Sequence, residues 1–148
     1  TTVYRSGTPA LPLIVSMMKA LELIIPKVEE NYNKVKILND LVKDNLIKYS
    51  KVHINSTEKS IPYVINFSIK DIKPETFVHA LDEKNIYIST KSACSKANTM
   101  SESVYSVTKN KDYASTSLRI SLSYLTTEKE IEEFTKTFDE CYKKLTLK

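Results

Sequence analysis

Glycine is almost absent: the 148 residues contain one, Gly7, and no tryptophan. A single glycine marks one place where the backbone needs positive φ or an approach too close for a Cβ. Cysteine is nearly as sparse. The two cysteines, Cys94 and Cys141, form no Cys-x-x-Cys pair, and the two histidines, His53 and His79, stand far apart. No zinc spacing results, and no metal is expected. No apolar run nears the roughly eighteen residues of a membrane span, and no charged-then-apolar leader opens the chain. These absences leave secretion and membrane spanning unsupported and favour a cytoplasmic location, where a Cys94–Cys141 disulfide is disfavoured. The net charge of +4 is spread along the chain. A nucleic-acid face would cluster lysine and arginine with interleaved aromatics, so direct nucleic-acid binding is not expected. Arginine occurs twice, as Arg5 and Arg119, among 22 basic residues. In so lysine-rich a chain each arginine raises the question of a planar, bidentate donor.

What is present reads as alternating helices and short strands. Pro9 and Pro12 suit the start of a helix over 11–25. Its wide stripe of Leu13, Ile14, Met17, Met18, Leu21, Ile24 and Ile25 predicts a mostly buried element, ended or kinked by Pro26. A longer amphipathic helix follows over 27–49, with Val28, Tyr32, Val35, Leu38, Val42, Leu46 and Tyr49 recurring every three or four residues. Val52 to Ile54 is a short strand candidate. Tyr63 to Ile69 alternates, with Tyr63, Ile65, Phe67 and Ile69 on one side and Val64, Asn66 and Ser68 on the other. Pro74 opens a third helix with Phe77, Val78 and Leu81 inward, and Ile86 to Ile88 reads as a strand. Polar, small residues then fill about twenty positions. Ser117 to Leu122 alternates again: Leu118, Ile120 and Leu122 point to the core, Ser117, Arg119 and Ser121 away from it. Thr127 to Glu130 forms a capping box, and a last helix carries Ile131, Phe134, Phe138, Cys141, Tyr142 and Leu145 on one stripe. The expected class is α+β, a small mainly antiparallel sheet with helices packed on one face.

Three places could carry chemistry. Cys94 lies in Ser89-Thr90-Lys91-Ser92-Ala93-Cys94-Ser95-Lys96, a polar loop after an apolar run. Neighbouring lysines favour its thiolate, which is the nucleophilic form; the alternative is an inert surface thiol. Cys141, on an apolar stripe, reads as a core residue. Arg119 projects from the outer face of its strand, either to grip a carboxylate through two parallel hydrogen bonds or to form a surface ion pair. Arg5-Ser6-Gly7-Thr8-Pro9 opens a helix, where hydroxyls and free N–H groups either cap it or hold an anion such as phosphate. Each histidine reads more simply as structural than catalytic.

Taken together, Arg5-Ser6-Gly7-Thr8, Ser92-Ala93-Cys94-Ser95, Ser117-Leu118-Arg119-Ile120-Ser121-Leu122 and Thr126-Thr127-Glu128-x-Glu130-Ile131 resemble the C-terminal part of pyridoxal-phosphate cysteine desulfurases of the NifS/IscS type, in the class V aminotransferase group. The resemblance runs from Tyr4 to about Lys144. It implies the small C-terminal domain of a fold-type I pyridoxal-phosphate enzyme. Residues 1–26 would be an interdomain helix segment with the start motif and 27–148 the small domain, cut from a longer chain that lacks its cofactor domain here. It implies Cys94 as the nucleophile that takes sulfur from L-cysteine as a persulfide, Arg119 as the substrate-carboxylate ligand, and Thr8 as a contact to the cofactor phosphate of the other subunit of a homodimer. The partners implied are L-cysteine and a sulfur-acceptor protein, either a scaffold or a sulfurtransferase. Two departures stand out: Lys91 and Ser123 occupy positions where many members have glycine. The Ser-x-His-Lys setting of the cofactor lysine is missing, since neither His53 nor His79 precedes a lysine. The fragment alone is therefore expected to be inactive and to bind no cofactor. Alternatives are a sulfur-relay module that docks an acceptor without its own catalysis, and a class V transaminase relative that does not use Cys94.

Overall fold

Period-two alternation in two strands organises the chain. The computed structural model describes residues 7–90 and 100–146. Strand β2 (Val64–Ile69) pairs antiparallel with β1 (Val52–Ile54) on one side and with β3 (Ser117–Ser121) on the other, giving the sheet order β1-β2-β3. Ile65 lies opposite Ile120 and Phe67 opposite Leu118, all four buried. Asn66 lies opposite Arg119 on the other face, as an antiparallel register with alternating side chains requires.

Helices α2 (Val28–Leu46), α3 (Pro74–Asp82) and α6 (Glu128–Thr146) close over the apolar face. They bury Val35, Leu38, Val42 and Leu46 from α2, Phe77 and Leu81 from α3, and Ile131, Phe134, Phe138 and Cys141 from α6, all on the expected stripes, while Val28 and Tyr32 at the start of the α2 stripe are exposed. Phe138 is the hub. Its ring centroid lies 5.0 Å from that of Phe77, 5.1 Å from Tyr49 and 6.0 Å from Phe67. The expected capping box forms. The Thr127 amide donates to Glu130 Oε2 at 2.8 Å and the Glu130 amide to Thr127 Oγ1 at 3.3 Å. The Thr127 amide, and next its hydroxyl, both donating to Glu130 Oε2, hold that carboxyl below its ordinary pKa. Gly7 has φ of 100°, and a Cβ there would meet no atom within 4 Å, so backbone conformation and not crowding requires glycine.

Four expectations change. Helix α1 (Leu11–Ile24) forms and passes through a 3₁₀ turn at Pro26 into α2, but no α1 residue is buried. Its stripe faces a groove of about 790 Å³ shared with the start of α2 and Tyr124, and Leu13 remains 72% exposed. An apolar stripe requires burial only where a partner exists, and none of the described elements covers this one. Residues 86–88 form no strand. Asn85, at φ of 61°, ends α3 and lets the Ile86 amide close a bond to the Leu81 carbonyl, and the chain meets β3 only at a single Ser89–Arg119 bridge. The polar stretch contains two short helices, α4 (Glu102–Thr108) and α5 (Lys111–Ser115), capped by Ser101 and Asn110. Helix α5 packs on the sheet face opposite the long helices, where the Tyr113 carbonyl accepts from Ser68 Oγ at 2.7 Å and the Tyr113 ring stacks on His53 at 4.0 Å. Ser68 is thereby buried, although its strand parity points it outward.

Two outcomes follow for stability. Phe138→Ala removes the ring on which α6, α3, β2 and the turn at Tyr49 meet and should cost about 3–5 kcal/mol in denaturant unfolding. Tyr49 donates to Asp139 Oδ1 at 3.2 Å; burial first, and the Asp139 charge next, push its hydroxyl up to about 12. A pKa above the unfolded value stabilises fully below the unfolded pKa and loses that contribution as pH rises through the folded one. Unfolding free energy should therefore decline from about pH 10 towards 12, and Tyr49→Phe should flatten that alkaline limb in a pH series of melts.

Candidate functional site

The face of the sheet turned away from the long helices carries the site. Arg119 is exposed at the centre of β3, where parity and the β2 register place it beside Asn66. On its other side the chain returns at Ser89. The two residues exchange both backbone bonds, Ser89 N–H to Arg119 O at 3.0 Å and Arg119 N–H to Ser89 O at 2.6 Å. Arg119 Nε also donates to Ser89 Oγ at 3.1 Å. Among the described residues no carboxylate pairs with Arg119; the ion pairs are Lys19–Glu22, Lys51–Asp71 and Lys143–Asp139. The surface-ion-pair reading of this arginine thus finds no partner among them.

A cavity of about 290 Å³ opens beside the guanidinium. Asn55, Ser56, Asn66, Thr90 and Ser101 contribute amides and hydroxyls to its wall, and Arg119 is its one charged lining residue among the described residues. Asn55 Nδ2 donates to Asn66 Oδ1 at 2.8 Å and to Ser68 Oγ at 2.7 Å, which fixes the floor. The Asn55 Oδ1 is buried without a hydrogen-bond partner among the described residues. A neutral, hydrogen-bonding wall with one guanidinium suits a small ligand bearing one carboxylate.

Of the predicted site residues, the structure places Arg119 at this cavity. Cys94 lies outside the described residues. The described chain stops at Thr90 and resumes at Met100, and both Thr90 and Ser101 line the cavity that holds Arg119. Thr8 is exposed just before α1 and does not line it. Cys141, the second thiol, is buried, donates to the Ala80 carbonyl at 3.5 Å, and is raised in pKa chiefly by burial, the opposite of what a nucleophile needs. Sequence patterns do not single out Ser89, Asn55, Thr90 or Ser101 as site residues. Asn66 has a signal, its outward parity on β2, but its pairing with Arg119 is a tertiary fact.

Pyridoxal phosphate does not fit this cavity by itself. Among the described residues no lysine amine and no aromatic face lines it, so an imine to the cofactor and stacking on its ring would both need residues beyond these.

Residues 1–134 match the family model described as Aminotransferase class-V. A NifS/IcsS protein homolog from Lactobacillus delbrueckii subsp. bulgaricus is 33% identical over 141 residues, covering 93% of this chain and 37% of that protein. A cysteine desulfurase IscS from Buchnera aphidicola subsp. Baizongia pistaciae is 31% identical over 130 residues, covering 86% of this chain and 32% of its own length. The X-ray structure of a NifS-like protein from Rickettsia africae has a TM-score of 0.76 at 29% identity, covering 93% of this chain and 36% of that one. The chain spans about a third of the length of these relatives. Family and neighbours are pyridoxal-phosphate enzymes. No helix among the described residues is long and apolar enough to cross a membrane. With nine-tenths of its length inside the match, the chain belongs to the class V aminotransferase family.

Proposed function

We propose that this chain is the small C-terminal domain of a cytoplasmic cysteine desulfurase, which as a complete protein converts L-cysteine to L-alanine and leaves the sulfur on Cys94 as a persulfide. The observation that carries this reading is the cavity at Arg119: both described ends of the segment that holds Cys94 border it. Four intervening residues separate Ser89 from Cys94, so an extended chain limits their Cα separation to about 18 Å. Arg119 binds the carboxylate of cysteine, and the thiolate of Cys94 takes its sulfur. The hydroxyls and amides of the wall offer further hydrogen bonds without a competing charge.

Residues 1–26 serve as the interdomain segment in this reading, and 27–148 as the small domain. Support comes from α1, which has an apolar stripe and no buried residue, as a helix that packs against further chain would. Thr8, exposed before α1, reaches the cofactor phosphate of the partner subunit in a homodimer. The cofactor is pyridoxal phosphate, held by parts of the protein other than the Arg119 cavity. A sulfur-acceptor protein then collects the persulfide from Cys94.

The test uses the complete polypeptide. Cys94→Ala should abolish persulfide formation and bring sulfide release from cysteine to background, with the cofactor absorbance unchanged. Normal turnover in that variant would refute the nucleophile assignment and favour a transaminase relative. Arg119→Ala should raise KM for cysteine about tenfold to a hundredfold, the scale of a lost charge-assisted pair of hydrogen bonds. Unchanged steady-state constants would remove Arg119 from the site.

A further inference from the structure

We propose that Ser89 is a positioning residue for Arg119. Its hydroxyl accepts the Nε–H and so commits the guanidinium to meeting a carboxylate with its two terminal nitrogens. The inference rests on the reading of Arg119 as the carboxylate ligand.

The geometry starts in the backbone. Ser89 and Arg119 exchange both N–H···O bonds, the close-bonded pair of an antiparallel ladder, and side chains of such a pair stand on one face. Ser89 Oγ, with one torsion between it and that fixed backbone, sits 3.1 Å from Arg119 Nε. A guanidinium has five N–H donors in a rigid fork. With Nε–H used, the edge shared by Nε and one Nη no longer offers two donors, while the Nη1–Nη2 end still does. A long side chain otherwise free in several rotamers is thereby held near one. The bond is neutral at its acceptor, so it orients the arginine without quenching its charge, as an aspartate in the place of Ser89 would. The other described residues of the wall, Asn66, Thr90 and Ser101 among them, are neutral as well.

The test reads steady-state constants of the complete, cofactor-loaded enzyme with L-cysteine. Ser89→Val and Ser89→Thr are near-isosteric and equally suited to extended backbone, and they differ in the hydroxyl. Ser89→Val should raise KM about threefold to tenfold, the range of one hydrogen bond, with kcat within about twofold of the parent; Ser89→Thr should restore the parent KM. A second readout is independent of turnover. Exchange of the Arg119 Nε–H with water, followed by NMR on arginine labelled with heavy nitrogen and assigned by its loss in Arg119→Lys, should be slow in the parent and in Ser89→Thr but fast in Ser89→Val. Equal KM values for the Val and Thr variants, or equal exchange, would overturn the positioning role. If Arg119→Lys leaves KM unchanged, the carboxylate reading fails and takes this proposal with it. If Arg119→Lys raises KM while Ser89→Val does not, the positioning role alone fails.

Discussion

The antiparallel pairing of β3 with β2 sets Leu118 and Ile120 against Phe67 and Ile65, and the same pairing turns Arg119 out beside Asn66. Side chains alternate with a period of two, so a slip by one residue would exchange the faces. It would expose two side chains whose burial contributes about 1.5–3 kcal/mol each. It would also bring a guanidinium into the core without a partner, at a cost of several kcal/mol. The core therefore fixes the register, and the register places the site. Arg119 owes its position to the hydrophobic residues on either side of it.

Behind the sheet, the ring of Phe138 ties α6 to the turn after α2, to α3 and to β2 through Tyr49, Phe77 and Phe67. Tilted and edge-on contacts of this kind add to the area they bury. The result is a rigid support on one face and a hydrophilic cavity on the other. Of the two thiols, Cys141 lies among the described residues. Cys141 belongs to the apolar side, where burial keeps it protonated. Cys94 has lysines and serines for sequence neighbours. In the proposed reading the nucleophile is the thiol with cationic sequence neighbours, since the thiolate is the species that attacks.

Long periodic segments are legible from residue order alone. The stripes of α2 and α6 survive translation into contacts because each spans several turns, and the Thr127–Glu130 box names its own start. Gly7 is legible for an equally local reason, its positive φ. Helices α4 and α5 are not: seven and five residues give too little periodicity, and Ser101 and Asn110 have the composition of loop residues although their side chains cap helices. The stripe of α1 misleads about burial because it records that a partner is wanted, not that one is at hand. Residues 86–88 have strand composition, but a strand needs a ladder, and the turn at Asn85 delivers them to β3 one bridge too late. At the site, parity alone brings out Arg119. Its neighbours Ser89, Asn66 and Ser101 come from three separated stretches, and no local pattern joins them.

The charge pattern of the cavity also divides the work of binding an amino acid. In the proposed reading one end is provided for: a guanidinium on a wall that is neutral among the described residues suits a carboxylate. Among the described residues lining the cavity there is no aspartate or glutamate to receive an ammonium group. An amino acid held here by its carboxylate thus has its amine end governed from outside this wall. A desulfurase reading requires that arrangement, because the amine is where the cofactor engages its substrate, and the Ser-x-His-Lys setting for that cofactor is not in this sequence. In the proposed reading the chain, which spans about a third of its relatives' length, contributes the guanidinium that meets the acid, and the amine is met by groups outside the described cavity wall.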